Sequence, residues 1–303
     1  MTPKSHLLWL IVLTCLTPPL FATDYHVYYL GGQSNMDGYG FVRELDEESQ
    51  KMSSPVYIFH GNTSPDGAAV DGKGVWARLQ PGHGVGFQSD GNTNRYSDRF
   101  GVELSFAQRL QKQFPERKIA LIKYSRGGTS IAEGAAGNFG CWEPDFAGVN
   151  QYDHFLSTLR HAFAQRDIDG DGTDDRLIPA GIVWMQGESD AHYTEEIATK
   201  YHANLTRLMN LIRAALRQDD LPVVIGQISY AQKEPPSWKH GEIVRAAQAQ
   251  YATTDTAAAL VTSTDHYGYS DPWHYNSAGY LDLGIQFAEA MNKLEQAQLK
   301  ATQ

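Results

Sequence analysis

The chain has 303 residues, of which 42% are hydrophobic, and its 25 Lys and Arg stand against 35 Asp and Glu, for a formal net charge of -10. That acidic balance excludes nucleic acid and anionic membrane as main partners and suits a neutral substrate. The length fits one α/β domain with a sizeable core.

Residues 1–22 read as a secretory signal rather than as fold. Lys4 and the N-terminus give a positive start, Leu7 to Leu16 is almost wholly apolar, and Phe21-Ala22 precedes polar Thr23-Asp24. The run is short for a bilayer span, so no stable membrane insertion is expected after cleavage. A lipoprotein anchor on Cys15 is disfavoured by the bulky Thr14. The expected location is secreted or periplasmic, with a single domain over 23–303. Cys15 leaves with the signal, so Cys141 stands alone and an intramolecular disulfide is impossible.

Five short apolar runs then follow in order: His26 to Leu30, Ile119 to Tyr124, Ala180 to Met185, Val223 to Ile228 and Ala258 to Val261. Each reads as a strand apolar on both faces, as in a parallel sheet. Helical periods lie between or after them. Val102, Phe106, Leu110 and Phe114 form one stripe. Ile197, Tyr201, Leu205, Leu208 and Ile212 form a second, and Ile285, Ala288, Met291 and Leu294 a third. The alternation predicts a three-layer α/β/α domain with a central, mostly parallel five-stranded sheet. The stretches 43–99 and 131–154 break the rhythm and read as long active-site loops.

Three segments at or after strand ends carry chemistry. Residues 31–37 read GGQSNMD, 184–190 read WMQGESD and 271–276 read DPWHYN. Ser34 follows a strand and two glycines, with a helix expected to begin at Asn35 and Met36. It needs a base. His274 is the best of the eleven histidines, because Asp271 lies three residues earlier and can hold Nδ1 while Nε2 faces Ser34. His60, His83, His154, His161 and His202 lack such context and read as surface groups. An acyl-transfer oxyanion needs donors. The candidates are the N–H groups of Ser34 and Gly128 and the side-chain amide of Gln186. The bland readings are a helix-capping serine, a tight turn at Gly127-Gly128, and loop-fixing by Gln186 and by the Asp271–His274 pair.

GGQSNMDG, SRGGTSI, WMQGESD and DPWHYNSAGY together resemble the SGNH hydrolase superfamily (a flavodoxin-like fold), and within it the sialate O-acetylesterase-like and family-6 carbohydrate esterase branch. The resemblance spans residues 31–280. It implies Ser34 as nucleophile, His274 as base, Asp271 as its carboxylate, Gly128 and Gln186 as oxyanion donors, and no catalytic cofactor. It implies deacetylation of sugars, either acetylated xylan or O-acetylated sialic acid. Glu188 is a second acidic candidate, ranked below Asp271 because it reaches the site only through tertiary packing. Arg126 departs from the uncharged residue usual before G-G-T-S; it can bind a substrate carboxylate or pair with Glu133, Glu188 or Asp190.

The acidic chain tilts the expectation towards acetylated xylan or its oligosaccharides, with Arg126 or Arg95 able to reverse the local field. Sialate O-acetylesterase or a broader short-chain carboxylesterase is the alternative, and a carbohydrate-binding protein with a decayed site is the non-enzymatic one. Trp76, Trp142, Tyr193, Tyr230, Trp238 and Trp273 are candidates for stacking on sugar faces.

Residues 167–175 read DIDGDGTDD. Asp167, Asp169, Asp171, the Thr173 carbonyl and Asp175 fall on EF-hand positions one, three, five, seven and nine, with Gly172 at the sharp turn. Ile178 stands where the bidentate glutamate belongs. The loop is expected to hold a structural calcium ion, against the alternative of a solvated acidic turn.

Overall fold

The computed structural model describes residues 22–63, 68–229 and 238–301. Nearly all of the expected signal, residues 1–21, and Tyr230 lie outside the described residues.

Strand β1 (Asp24–Gly32) runs directly into a single helical turn, α1 (Ser34–Asp37). Six short strands follow: β2 (Gly40–Phe41), β3 (Tyr57–His60), β4 (Ala77–Arg78), β5 (Gln88–Ser89), β6 (Asn94–Arg95) and β7 (Arg99–Phe100). Regular alternation then sets in, with α2 (Glu103–Gln113), β8 (Lys118–Ser125), α3 (Gln151–Ala164) and β9 (Arg176–Met185). After β9 come α4 (Glu188–His192), α5 (Glu195–Ala215), β10 (Val223–Gly226), α6 (Gly241–Thr254), β11 (Ala258–Val261) and α7 (Ser277–Ala301).

The main sheet has the order β11-β10-β9-β1-β8-β3-β4. It is covered on both faces. Successive side chains on a strand point to opposite sides, and Tyr28 and Tyr29 are both wholly buried. Tyr28 meets Phe106 of α2 edge-on and hydrogen-bonds Glu295 of α7, while Tyr29 packs on Phe155 of α3. Helices α2 and α7 therefore lie on one side and α3 on the other.

The sheet corrects the expected five-stranded, mostly parallel architecture of the SGNH resemblance: it has seven strands and is mixed. β3 adds to β8 in parallel, and β4 then pairs with β3 antiparallel. Tyr57–His60 is a four-residue buried strand enclosed in a Gly- and Asn-rich stretch, too short to show a period. β4 is two residues long and only partly buried.

Three of the five histidines read as surface groups are interior: His60, His83 and His154 are almost fully buried. Burial, with the nearby Lys123 charge, pushes His83 down to about 3, so it stays neutral. Cys141 is free and buried, in bridges to Ser130 and Asn150. Among the described residues no helix is long and apolar enough to cross a membrane.

β1 is the pivot. Its neighbours are β8 on one side and β9 on the other. Gly32 is in register with both Ser125 and Met185, so the segments following these three strands emerge side by side. The chain reverses its direction of sheet-building here, which is where open α/β sheets place their clefts.

Candidate active site

Gly32 makes the first turn possible. It has φ 144°, and a β-carbon there would stand 2.0 Å from the Met185 carbonyl oxygen. The chain then turns into α1, whose first residue is the buried Ser34. A single turn carries little helix dipole, so the helix N-terminus adds little at Ser34.

The β8 end lies against it. A β-carbon on Gly127 would stand 3.4 Å from Ser34 Cβ. Asp37, three residues after Ser34, pins this turn: its carboxylate accepts from Ser125 Oγ at 2.6 Å and from the Gly127 N–H at 3.0 Å. Burial raises the Asp37 carboxyl; the Ser125 bond and the Lys123 charge oppose the rise. With the Gly127 N–H taken by Asp37, the N–H groups of Ser34 and Gly128 have no acceptor among the described residues. Gly128 has φ 74°, and the Phe139 ring packs where its β-carbon would be, 2.4 Å away.

The β9 end supplies Gln186, which is wholly buried. Its amide nitrogen donates to Asp190 Oδ2 at 2.7 Å, Thr129 O at 3.1 Å and Gln33 Oε1 at 3.3 Å, and its Oε1 accepts from Tyr201. An amide has two hydrogens, and these partners use both. Gln186 thus ties the β8 turn to β9 rather than aiming at the cleft. Asp190 completes the tie by accepting from the N–H groups of Ile131 and Ala132. Burial pushes the Asp190 carboxyl up to about 6.

The fourth part comes from the turn before α7. His274 Nδ1 and Asp271 Oδ2 are 2.6 Å apart. Asp271 Oδ1 also accepts from the N–H groups of Trp273 and His274, at 2.8 and 2.9 Å. Burial acts to raise the Asp271 carboxyl, but the His274 bond and these N–H groups together hold it below its ordinary value. Asn35, next to Ser34, reaches across with Nδ2, to the Trp273 carbonyl at 3.3 Å and to Glu188 Oε1 at 2.8 Å. Tyr280 of α7 donates to Asn35 Oδ1 at 2.9 Å. The Tyr39 ring stacks on His274 with centroids 3.5 Å apart and planes at 4°.

The structure therefore brings Ser34, Gly128, Asp271 and His274 to one cleft. Ser34 and His274 share no direct hydrogen bond among the described residues. Glu188 lies beneath the cleft with no bond to His274; burial raises its carboxyl, and among the described residues Oε2 has no partner. Asp37, Asp190, Asn35 and Tyr39 escaped the sequence reasoning as site residues. Each lies in or beside a motif already singled out, within five residues of Ser34 or Gln186. Of the aromatic candidates, Trp76 and Trp142 are core, Trp238 packs partly against the core, and Tyr193 and Trp273 are exposed, at 45% and 51%. Phe139, missed from sequence, joins this rim.

The acidic loop closes upon itself far from this cleft, before β9. Carboxylate oxygens of Asp167, Asp169 and Asp175 lie within 4.8 Å of one another and can chelate a metal ion. Asp175 is 2% exposed, and its Oδ1 has no partner among the described residues. Asp171 is outside this group; its carboxylate accepts from the Thr173 N–H at 2.8 Å.

A family model described as "carbohydrate esterase, sialic acid-specific acetylesterase" matches residues 24–293. No curated protein matches. Among solved structures, one from Arabidopsis thaliana is 19% identical with a TM-score of 0.62, covering 90% of this chain and 98% of that one. NanS is 16% identical with a TM-score of 0.59, over 92% and 100% of the two chains. A carbohydrate acetylesterase from Xanthomonas citri is 17% identical with a TM-score of 0.58, over 89% of this chain and 56% of that one. At these identities they show a shared fold. The family match carries the esterase part of the resemblance drawn from sequence, while the SGNH name, with its five-stranded sheet, does not describe this chain.

Proposed function

Since the chain belongs to the sialic acid-specific acetylesterase family of carbohydrate esterases, we propose that its chemistry runs through Ser34 as nucleophile and His274 as base. The chain is a carboxylic-ester hydrolase with carbohydrate-acetylesterase activity. The observation that supports the assignment of residues is the pair of unspent N–H groups, on Ser34 and Gly128, beside a serine and near a carboxylate-held imidazole.

In this mechanism Ser34 Oγ attacks the acetyl carbonyl and its proton passes to His274 Nε2. Asp271 stabilises the imidazolium through Nδ1. The Ser34 and Gly128 N–H groups hold the oxyanion, each contributing about 3 kcal/mol of transition-state stabilisation. His274 returns the proton to the departing sugar hydroxyl. Water, deprotonated by the same imidazole, then attacks the acyl-serine; His274 returns that proton to Ser34 Oγ as the acyl bond breaks, and acetic acid leaves and ionises to acetate. Gln186 and Asp190 keep the Gly128 turn in place.

For the sugar, we infer an O-acetylated sialic acid in preference to acetylated xylan, which reverses the preference drawn from net charge. The family's description supports it, and so does Arg126. That cation directly precedes Gly127-Gly128, with its guanidinium carbon 5.4 Å from the centroid of Phe139, the ring packed on Gly128. A local positive charge at the cleft outweighs a diffuse negative surface screened beyond about 8 Å.

The test compares O-acetylated sialic acid, acetylated xylooligosaccharide and nitrophenyl acetate. Ser34→Ala should abolish turnover of all three while the fold persists. Arg126→Gln should raise KM for the sialic acid about tenfold and leave nitrophenyl acetate unchanged. Near-normal activity in Ser34→Ala would remove the nucleophile, and a parent enzyme that prefers the xylan ester would remove the sugar.

The loop at 167–175 supports a second proposal, that its ion is calcium. Oxygen-only donors are what that hard cation takes, and a buried carboxylate oxygen without a donor suits a cation. The ion would brace the approach to β9 and take no part in the reaction. We also propose export, with residues 23–303 as one domain, on the pattern of residues 1–22 alone.

A further inference from the structure

We propose that Tyr39 is a positioning residue for His274, holding the imidazole by its face while Asp271 holds it by its edge. The inference rests on His274 being the base.

An in-plane hydrogen bond fixes the direction of Nδ1 but leaves the ring free to tilt about that axis. The Asp271 bond at 2.6 Å is such a constraint. The Tyr39 ring, at 3.5 Å and 4°, closes off the tilt on one face. Trp273 meets His274 edge-on at 6.4 Å and 68°, too far and too steep to do the same. Tyr39 is itself well anchored. Arg99 Nη1 donates to its carbonyl at 2.7 Å, and the preceding Gly38, at φ 96°, lies against Gly101 so closely that a β-carbon would be 2.3 Å from Gly101 Cα. The ring's hydroxyl end points towards the β8 turn, 3.7 Å from where a Gly127 β-carbon would stand. One side chain thus spans the base and the turn that flanks Ser34.

The stack also has an electronic consequence. An aromatic face attracts a cation more than a neutral ring. As His274 gains the Ser34 proton it becomes cationic, so the contact strengthens towards the transition state, which is the condition for raising kcat and not only binding. The charges that act on Tyr39 include Asp37, Asp271, Arg126 and Arg99, and all remain in the variants below.

The experiment measures kcat, KM and the acidic limb of the kcat/KM pH profile on nitrophenyl acetate, with melting temperatures. The set is the parent, Tyr39→Phe, Tyr39→Leu, and Tyr39→Met as a second ringless variant should Tyr39→Leu not fold. Tyr39→Phe keeps the face and should retain kcat within about threefold. The ringless variant should lose at least tenfold in kcat with KM within twofold. Its acidic limb should move to lower pH, because the imidazolium has lost a stabilising neighbour. A ringless variant with the parent's kcat and limb overturns the proposal, and so does equal loss in Tyr39→Phe. His274→Asn separates the two levels: activity surviving there sinks the assigned base, whereas activity lost there and kept without the Tyr39 ring sinks the positioning role alone.

Discussion

Asn35 Nδ2 donates to Glu188 Oε1 at 2.8 Å and to the Trp273 carbonyl at 3.3 Å, so the residue after Ser34 clamps the β9 segment to the histidine turn. The glutamate is thereby committed to Asn35, while Asp271 alone of the two carboxylates meets His274.

Asp271→Asn should therefore lower kcat by about three to four orders of magnitude, as loss of a base-orienting carboxylate does elsewhere. Glu188→Gln keeps an oxygen for Asn35 and removes only a buried acid, so its kcat should stay within tenfold of the parent. Steady-state kinetics on nitrophenyl acetate decide it, and a larger loss in Glu188→Gln would transfer the acidic role.

Asp190 makes stability depend on pH. Its folded value is raised to about 6 from 3.8. A carboxyl raised on folding contributes stability that is fully present below the unfolded value and is lost as pH rises through the folded one. The parent, measured against Asp190→Asn, should thus lose up to about 3 kcal/mol between pH 4 and pH 7. Urea unfolding of both proteins across that window checks the slope; a parent that gains stability relative to Asp190→Asn as pH rises would contradict it.

Lys123 and Glu103 form a wholly buried pair, 2.8 Å apart, beneath α1. Lys123 also donates to the carbonyls of Asp37 and His83, each at 2.8 Å. Lys123→Met strands the Glu103 charge and should cost about 3–5 kcal/mol. Adding Glu103→Leu should recover part of that loss, since the stranded charge goes with it. Chemical denaturation of the two variants is the measurement, and no recovery would place the cost in the carbonyl bonds instead.

Calcium should raise the melting temperature of chelator-treated protein, by the equivalent of about 2.7 kcal/mol at a hundred times Kd. Asp175→Asn, which removes charge at the buried end of the cluster, should blunt the response. Esterase activity per folded molecule should not change. An unmoved melting temperature after rigorous chelation and calcium addition would leave the loop a solvated turn.

Five of the seven main strands were legible because each is a compact apolar run ending at glycine or a polar turn. β3 was hidden by its polar surroundings, and β4 is too short to carry a pattern. Helices α3 and α6 were missed for another reason. Their buried faces use polar residues: His154, Ser157 and Thr158 in α3, and Gln248 in α6. Some have partners found only after folding, as when Ser157 donates to Asp71 O and Gln248 binds Gln186 O and the Ile228 N–H. The candidate site was legible where its chemistry is local, as in Asp271 and His274 three apart. Gln186 reads as an oxyanion donor in sequence because its spacing carries no sign of Asp190 or Thr129 waiting for its hydrogens. Tyr39 left no trace either, since a ring stack between residues 235 positions apart has no periodicity to betray it.

Cys141 pairs through isolated bridges with Ser130 and Asn150 in the loop that follows Gly128, with its thiol wholly enclosed and pushed up to about 12 by burial. A maleimide or disulfide reagent can reach that sulfur only when the loop lifts from the sheet. The rate of labelling is therefore a built-in clock for opening of the segment that follows Gly128, readable without any engineered probe.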